Sequence, residues 1–124
     1  TITDELRWVN GGHQPALLRD SNGKYEKYES NSPPMGVIYQ NSKSEYNVHK
    51  LKLNGKKFYA FTDGLSESLN TEGNQIGIEG SVKIIEQNYN SDLSKQLTSV
   101  TQDVIKSSGD KKLSDDLTII AIGK

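Results

Sequence analysis

The chain has 124 residues, a hydrophobic share of 32 % and a mean hydropathy of -0.70, which bound it to a single domain with a modest core and a polar surface. Lys and Arg number 15 against 16 Asp and Glu, a net charge of -1 that leaves no footprint for nucleic acid or an anionic membrane. Cysteine is absent, which excludes disulfides, thiol catalysis and thiolate metal sites and fits a reducing compartment, and no apolar run approaches the roughly 20 residues of a membrane span.

In chain order, Leu6-Arg7-Trp8-Val9 reads as a short strand running into the loop Asn10-Gly11-Gly12-His13-Gln14-Pro15. Ala16 to Arg19 resumes as a strand, Asp20-Ser21-Asn22-Gly23 is turn chemistry, and Lys24 to Glu29 is the returning arm of a hairpin. Asn31 to Gly36 forms a rigid loop around adjacent prolines, which fix the backbone and remove donors. Tyr46 to Leu53 is strand-like, and Asn54-Gly55 supplies the positive backbone angles of a tight hairpin turn, with Lys57 to Thr62 as the return strand. Ile78, Val82, Ile85 and Tyr89 recur on one helical face; Leu93, Leu97, Val100 and Val104 repeat that rhythm behind a cap at Ser91 or Asp92. Gly109 ends the second helix, and Leu117 to Ile122 is a compact β-branched strand. The order predicts an α+β layered domain over residues 1–124, with the doublets Lys56-Lys57 and Lys111-Lys112 in solvated turns and His49 at the surface.

Asp63 stands where the apolar strand through Phe61 ends, with Gly64 directly behind it. A carboxylate desolvated there costs several kcal/mol unless it is hydrogen-bonded, paired or bound to a cation, and Gly64 leaves room for a close approach to the backbone. From local sequence alone, the plainer account is that Asp63 caps a helix from Leu65 to Leu69. Asp115 and Asp116 directly precede the last strand; taken alone they read as a polar turn, and in extended chain they point to opposite faces, so only one can address a site. Carboxylates gathered at strand ends suit a hard divalent ion such as Mg²⁺ or Mn²⁺.

Four stretches occur in order: residues 10–18 (NGGHQPALL), 33–37 (PPMGV), 59–67 (YAFTDGLSE) and 115–118 (DDLT). Together they resemble the C-terminal half of a PPM-type metal-dependent protein phosphatase of the bacterial SpoIIE-like branch, and the similarity spans nearly the whole chain. The resemblance implies part of an α-β-β-α sandwich with mostly antiparallel sheets and a pair of Mn²⁺ or Mg²⁺ ions at one sheet edge. It also implies hydrolysis of phosphoserine or phosphothreonine, with a metal-bridged water as nucleophile, on a phosphorylated regulatory protein such as an anti-sigma-factor antagonist in the cytoplasm. Two such ions about 3.5–4 Å apart lower the pKa of a bound water and clamp phosphate oxygens for in-line attack.

Carried over residue by residue, Asp63 matches the metal-binding Asp of the family's Thr-Asp-Gly motif and Asp115 the other ligand from this half. Gly64 and Asp116 take supporting places, and His13 a hydrogen-bonded structural one in its glycine loop. The Pro33-Pro34-Met35-Gly36 stretch shapes a turn beside the site. Departures are Gly11, where the family usually has Ala, and Gln75-Ile76-Gly77, where an aromatic usually precedes the glycine. The family's upstream Gly-Asp motif has no counterpart, since Thr3-Asp4-Glu5 lacks the glycine, and the chain opens at Thr1 rather than Met. The expectation is therefore a C-terminal portion, inactive by itself, joined in its parent to an N-terminal half and a sensor or receiver domain. The alternative is a catalytically inactive protein-interaction or regulatory module of the same fold.

Overall fold

A computed structural model describes residues 4–34, 36, 46–109 and 115–123. Strand β1 is Glu5–Trp8, β2 Ala16–Arg19, β3 Tyr25–Tyr28, β4 His49–Lys52, β5 Lys57–Phe61 and β6 Ile119–Ile122; the helices are α1 Asp63–Ser66, α2 Gly77–Gln87 and α3 Leu93–Ser108. Met35, Val37, Lys111-Lys112 and Ser114, which figure in the sequence reading, lie outside the described residues.

The apolar strands β2 and β5 sit at the centre of a four-stranded antiparallel sheet, ordered β3-β2-β5-β6. Side chains alternate across a pleated strand. Leu17 of β2, Tyr59 and Phe61 of β5, and Ile119 and Ala121 of β6 therefore meet Leu65, Ile85, Val100 and Val104 of the helices on one face. On the other face Ala16, Leu18 and Phe58 meet Leu6, Trp8 and Leu51 of the two-stranded ladder β1–β4, together with Leu53. Each fully buried side chain of this kind contributes about 1.5–3 kcal/mol. The described layers are thus helices, a four-stranded sheet and a two-stranded ladder. The β6 residues on the ladder side, Ile120 and Ile122, stay 54 % and 39 % exposed.

The predicted α+β antiparallel architecture is present, and Asp92 supplies the α3 cap by accepting from the backbones of Ser94 and Lys95. The turn at Asn54-Gly55 also forms, with φ of 46° and 78° and a Lys56 N–H to Leu53 carbonyl bond of 2.8 Å. It does not close a hairpin, because β4 pairs with β1 and β5 with β2, so the turn carries the chain from one sheet to the other.

Lys57 is not solvated but 4 % exposed: its ammonium donates to the carbonyls of Asn90 (2.6 Å) and Ser91 (3.2 Å) and lies over the Tyr89 ring. His49 is not a surface residue either. Its ring stacks on Trp8 at 4.8 Å and meets Tyr28 edge-on, and among the described residues neither Nε2 of His49 nor Nε1 of Trp8 has a hydrogen-bond partner. Tyr89 falls beyond α2, exposed, with the Arg19 guanidinium 3.7 Å above its ring.

Arg19 ends β2 inside the protein and forks onto Glu86 of α2 at 2.7 and 2.8 Å, while the Tyr25 hydroxyl donates to the same carboxylate at 2.8 Å. The Glu86 hydrogen bonds raise the Arg19 pKa, and the Arg19 guanidinium, helped by Tyr25, holds the Glu86 carboxyl below the usual carboxylate range. Burial, followed by the bond to Glu86, pushes the Tyr25 phenol up. This network lashes α2 to the sheet at the end where β5 begins, leaving the end where β5 finishes for the acids.

Candidate functional site

Strand β5 leaves the sheet at Thr62, and β6 enters it after Thr118, so both chains break from the ladder at the same level. The last backbone contact runs from the Thr62 N–H to the Thr118 carbonyl at 3.0 Å. Beyond it the Thr62 hydroxyl takes over, donating to the Asp116 carbonyl at 2.8 Å and accepting from the Thr118 N–H at 3.0 Å. Asp63 is the first residue of the single-turn helix α1, exposed to solvent, and the Ser66 hydroxyl caps its carbonyl at 3.3 Å.

Gly64 is buried against the incoming strand. A Cβ placed on it would lie 2.4 Å from the Asp116 carbonyl oxygen and 2.8 Å from its carbonyl carbon. The glycine foreseen as room for a close approach is therefore occupied by backbone from the other acidic segment. Asp115 and Asp116 are both exposed, and the Asp115 carboxylate accepts the Asp116 N–H at 2.7 Å. Thus the segments bearing Asp63 and Asp115 meet on one sheet edge, stitched together through Thr62 and Gly64.

Two details of the sequence reading change. The helix begins at Asp63 rather than Leu65, and the residue in N-cap position is Thr62, whose side chain makes no capping bond because it is engaged across the strands. The last strand begins at Ile119 rather than Leu117, so Asp115 and Asp116, which precede it as expected, stand two residues further from it and alternation across a strand does not decide which of them faces the site.

His13 lies exposed in the loop that enters β2 from this same end of the sheet. Its N–H donates to Asn10 Oδ1 at 2.9 Å, and its Nδ1 lies 3.2 Å from the Gln14 carbonyl. The Pro33-Pro34 stretch packs on this loop: a Cβ on Gly12 would fall 2.6 Å from the Pro34 ring, and Gly11 bridges to Ser32. Two surface clefts, of about 430 and 470 Å³, open elsewhere, between residues 68–76 and the C-terminal part of α3, and neither is lined by these acids.

Sequence reasoning missed Thr62 and the Arg19–Glu86 pair. The signal for Thr62 was a hydroxyl directly ahead of Asp-Gly in a strand facing Asp-Asp-Leu-Thr; Arg19 and Glu86 are 67 positions apart and left no local trace. The three acids described on this edge, Asp63, Asp115 and Asp116, offer carboxylate oxygens, a hard donor set that fits Mg²⁺ or Mn²⁺ rather than a soft metal. They fit as part of a shell, since among the described residues no group of three His, Cys, Asp or Glu side chains is placed to hold an ion.

The chain matches the family described as Stage II sporulation protein E (SpoIIE) across residues 1–124. It is similar to the SiaA-PP2C domain of Pseudomonas aeruginosa, at 16 % identity and a TM-score of 0.78 over 98 % of this chain and 47 % of that one. It is similar to the RsbU and RsbW domains of Rv1364c from Mycobacterium tuberculosis, at 22 % identity and a TM-score of 0.70 over 96 % of this chain and 32 % of that one. The phosphatase domain of the cell fate determinant SpoIIE from Bacillus subtilis, presoaked with Mn, gives 14 % identity and a TM-score of 0.65 over 96 % of this chain and 50 % of that one. Protein IcfG of Synechocystis sp. is 23 % identical over 118 residues, which are 94 % of this chain and 18 % of that protein. The solved structures share the fold, and this chain spans half or less of each relative.

Proposed function

The chain belongs to the SpoIIE family, which includes solved phosphatase domains, and on that premise we propose that it is the C-terminal portion of a metal-dependent serine/threonine protein phosphatase. The observation that carries this reading is the meeting of the Asp63–Gly64 and Asp115–Asp116 segments on one exposed sheet edge. Asp63 and Asp115 hold part of a Mn²⁺ or Mg²⁺ pair, and the remaining ligands come from an N-terminal half of the domain in the parent protein. Such a pair, when bound, supplies an activated water and clamps the phosphoryl oxygens. The chain's own contribution is to keep two carboxylates in place and open to solvent, while Gly64 and Thr62 fix the spacing of the segments that bear them. Asp116 and His13 support the edge from either side. The substrate is a phosphorylated regulatory protein of an anti-sigma-factor antagonist type, acted on in the cytoplasm, with a sensor or receiver domain elsewhere in the parent. Among the described residues no helix is long and apolar enough to cross a membrane.

A phosphopeptide assay on the parent phosphatase with Mn²⁺ tests this reading. The expected result is metal-dependent turnover that Asp63→Asn and Asp115→Asn each abolish, and activity indifferent to Asp63→Asn refutes it. The lack of a third acidic ligand among the described residues favours one other reading, an inactive interaction module of the same fold. That reading predicts a parent without the upstream acids, inert with Mn²⁺ yet still able to bind its partner protein.

A further inference from the structure

Resting on the metal-site reading above, we propose that Thr62 is a positioning residue, its hydroxyl a two-way clamp that sets the distance between the Asp63 and Asp115 segments. In a regular antiparallel ladder the Thr118 N–H, directly opposite Thr62, bonds to the Thr62 carbonyl. Here that carbonyl has turned away to accept the Leu65 N–H at 3.1 Å and start α1. The Thr118 N–H instead finds the Thr62 hydroxyl at 3.0 Å, and the hydroxyl proton goes to the Asp116 carbonyl at 2.8 Å. One side-chain oxygen thus replaces a ladder acceptor and reaches a second residue on the neighbouring segment. This lets β5 bend into a helix at the acid without releasing β6.

The hydroxyl is both donor and acceptor, a combination available to Ser and Thr and to none of the apolar β-branched residues. Gly64 presses the same segment from two positions further on, since any Cβ would run into the Asp116 carbonyl. Together they hold Asp116 from two sides, and Asp115 is bonded to the Asp116 N–H, so the clamp is transmitted to the carboxylate. Thr118 and Asp116 are exposed, so water can satisfy their backbone groups when the hydroxyl is gone. Removing it therefore loosens the acids far more than it weakens the fold.

The test is an electron paramagnetic resonance titration of Mn²⁺ against the complete phosphatase domain, with thermal melting of the metal-free protein alongside. Thr62→Val, equal in shape but without the hydroxyl, is expected to weaken Mn²⁺ binding by about 10-fold or more, the loss usual for a group that orients a ligand. The metal-free melting temperature is expected to change little. Thr62→Ser, which keeps the hydroxyl, restores binding to within about 3-fold of the native protein.

Native Mn²⁺ affinity in Thr62→Val overturns the clamp, as does an equal loss in Thr62→Ser and Thr62→Val. If Thr62→Val does not fold, Gly64→Ala carries the test, because its added methyl displaces the Asp116 carbonyl with the hydroxyl intact. It is expected to weaken Mn²⁺ binding, and native affinity there refutes the spacing role. Asp63→Asn separates the two claims: unchanged Mn²⁺ affinity sinks the metal site itself, whereas a loss there beside native affinity in Thr62→Val sinks the clamp alone.

Discussion

Replacing Gln96 by leucine removes the amide that ties both long helices to the central sheet. Gln96 is fully buried on α3, its carbonyl oxygen accepting from the Tyr59 hydroxyl of β5 at 3.0 Å and its amide donating to the Ile85 carbonyl at 3.0 Å. That carbonyl belongs to the last turn of α2, where no further helical N–H is available, so the glutamine acts as a cap delivered from a neighbouring helix. Burial pushes the Tyr59 phenol up, which keeps its hydroxyl a donor across the ordinary pH range.

Gln96→Leu leaves the Tyr59 hydroxyl and the Ile85 carbonyl without partners, each a loss of about 1–3 kcal/mol, so the change destabilises by roughly 2–6 kcal/mol. Tyr59→Phe strands only the glutamine oxygen, a loss of about 1–3 kcal/mol. The informative variant is the double one. With both partners apolar only the Ile85 carbonyl stays unpaired, so Tyr59→Phe with Gln96→Leu is expected to be more stable than Gln96→Leu alone by about 1–3 kcal/mol. Urea denaturation followed by far-UV circular dichroism reads all four proteins of the cycle. Simple additivity, with the double variant the least stable, refutes the assignment of the Tyr59–Gln96–Ile85 chain as a coupled buried network.

Acid sensitivity follows from Glu86. Its pKa is depressed in the folded protein, so its contribution to stability is fully present above the unfolded carboxylate value of about 4.3 and is lost as pH falls through the lower folded value. Glu86→Gln is expected to lower the urea midpoint at neutral pH and to flatten its decline between about pH 5 and pH 3, and an unchanged acid limb counts against the pair. At the sheet-to-sheet turn, Asn54→Gly is expected to be close to neutral. Asn54→Val, forced to the same positive φ, is expected to destabilise by about 1–2 kcal/mol in a thermal melt.

What the sequence made legible was what is local. The helical faces of α2 and α3, the cap at Asp92 and the positive-φ turn at Asn54 each have their cause within a few residues. Pairing was not local: the same turn serves a hairpin or a passage between sheets, and only the preference of β4 for β1 decides. His49 shows the cost of that. Its chain neighbours Lys50 and Lys52 made it look wet, while the register opposes it to Trp8, 41 positions away, and puts it in an aromatic stack. Lys57 misled in the same way, since the acceptors that make its burial tolerable come from residues 90 and 91. For the candidate site, Asp63 and Asp115 were picked out through the resemblance of four ordered motifs and not from their local surroundings, and the fold brings together the segments that carry them. The stitch between them was not legible, because a hydroxyl serving as a ladder acceptor has no signature apart from the partner it meets.

The sequence posed Asp63 as a charge at the end of a buried strand, expensive to desolvate without a counter-ion. The fold answers by ending the strand at Phe61 and lifting the acid one step further into water, on the first residue of α1. Asp63, Asp115 and Asp116 are then exposed on one edge, where solvent screens their repulsion. What is buried at this edge is neutral: Gly64, Leu65 and the hydroxyls of Ser66 and Ser68, the last bonded to the Gly64 carbonyl. On the proposed reading, stability and metal binding are then carried by different residues a single position apart. Exchanging either acid for its amide removes charge without opening a cavity or stranding a buried group, so a loss of activity in those variants reports on chemistry and not on folding.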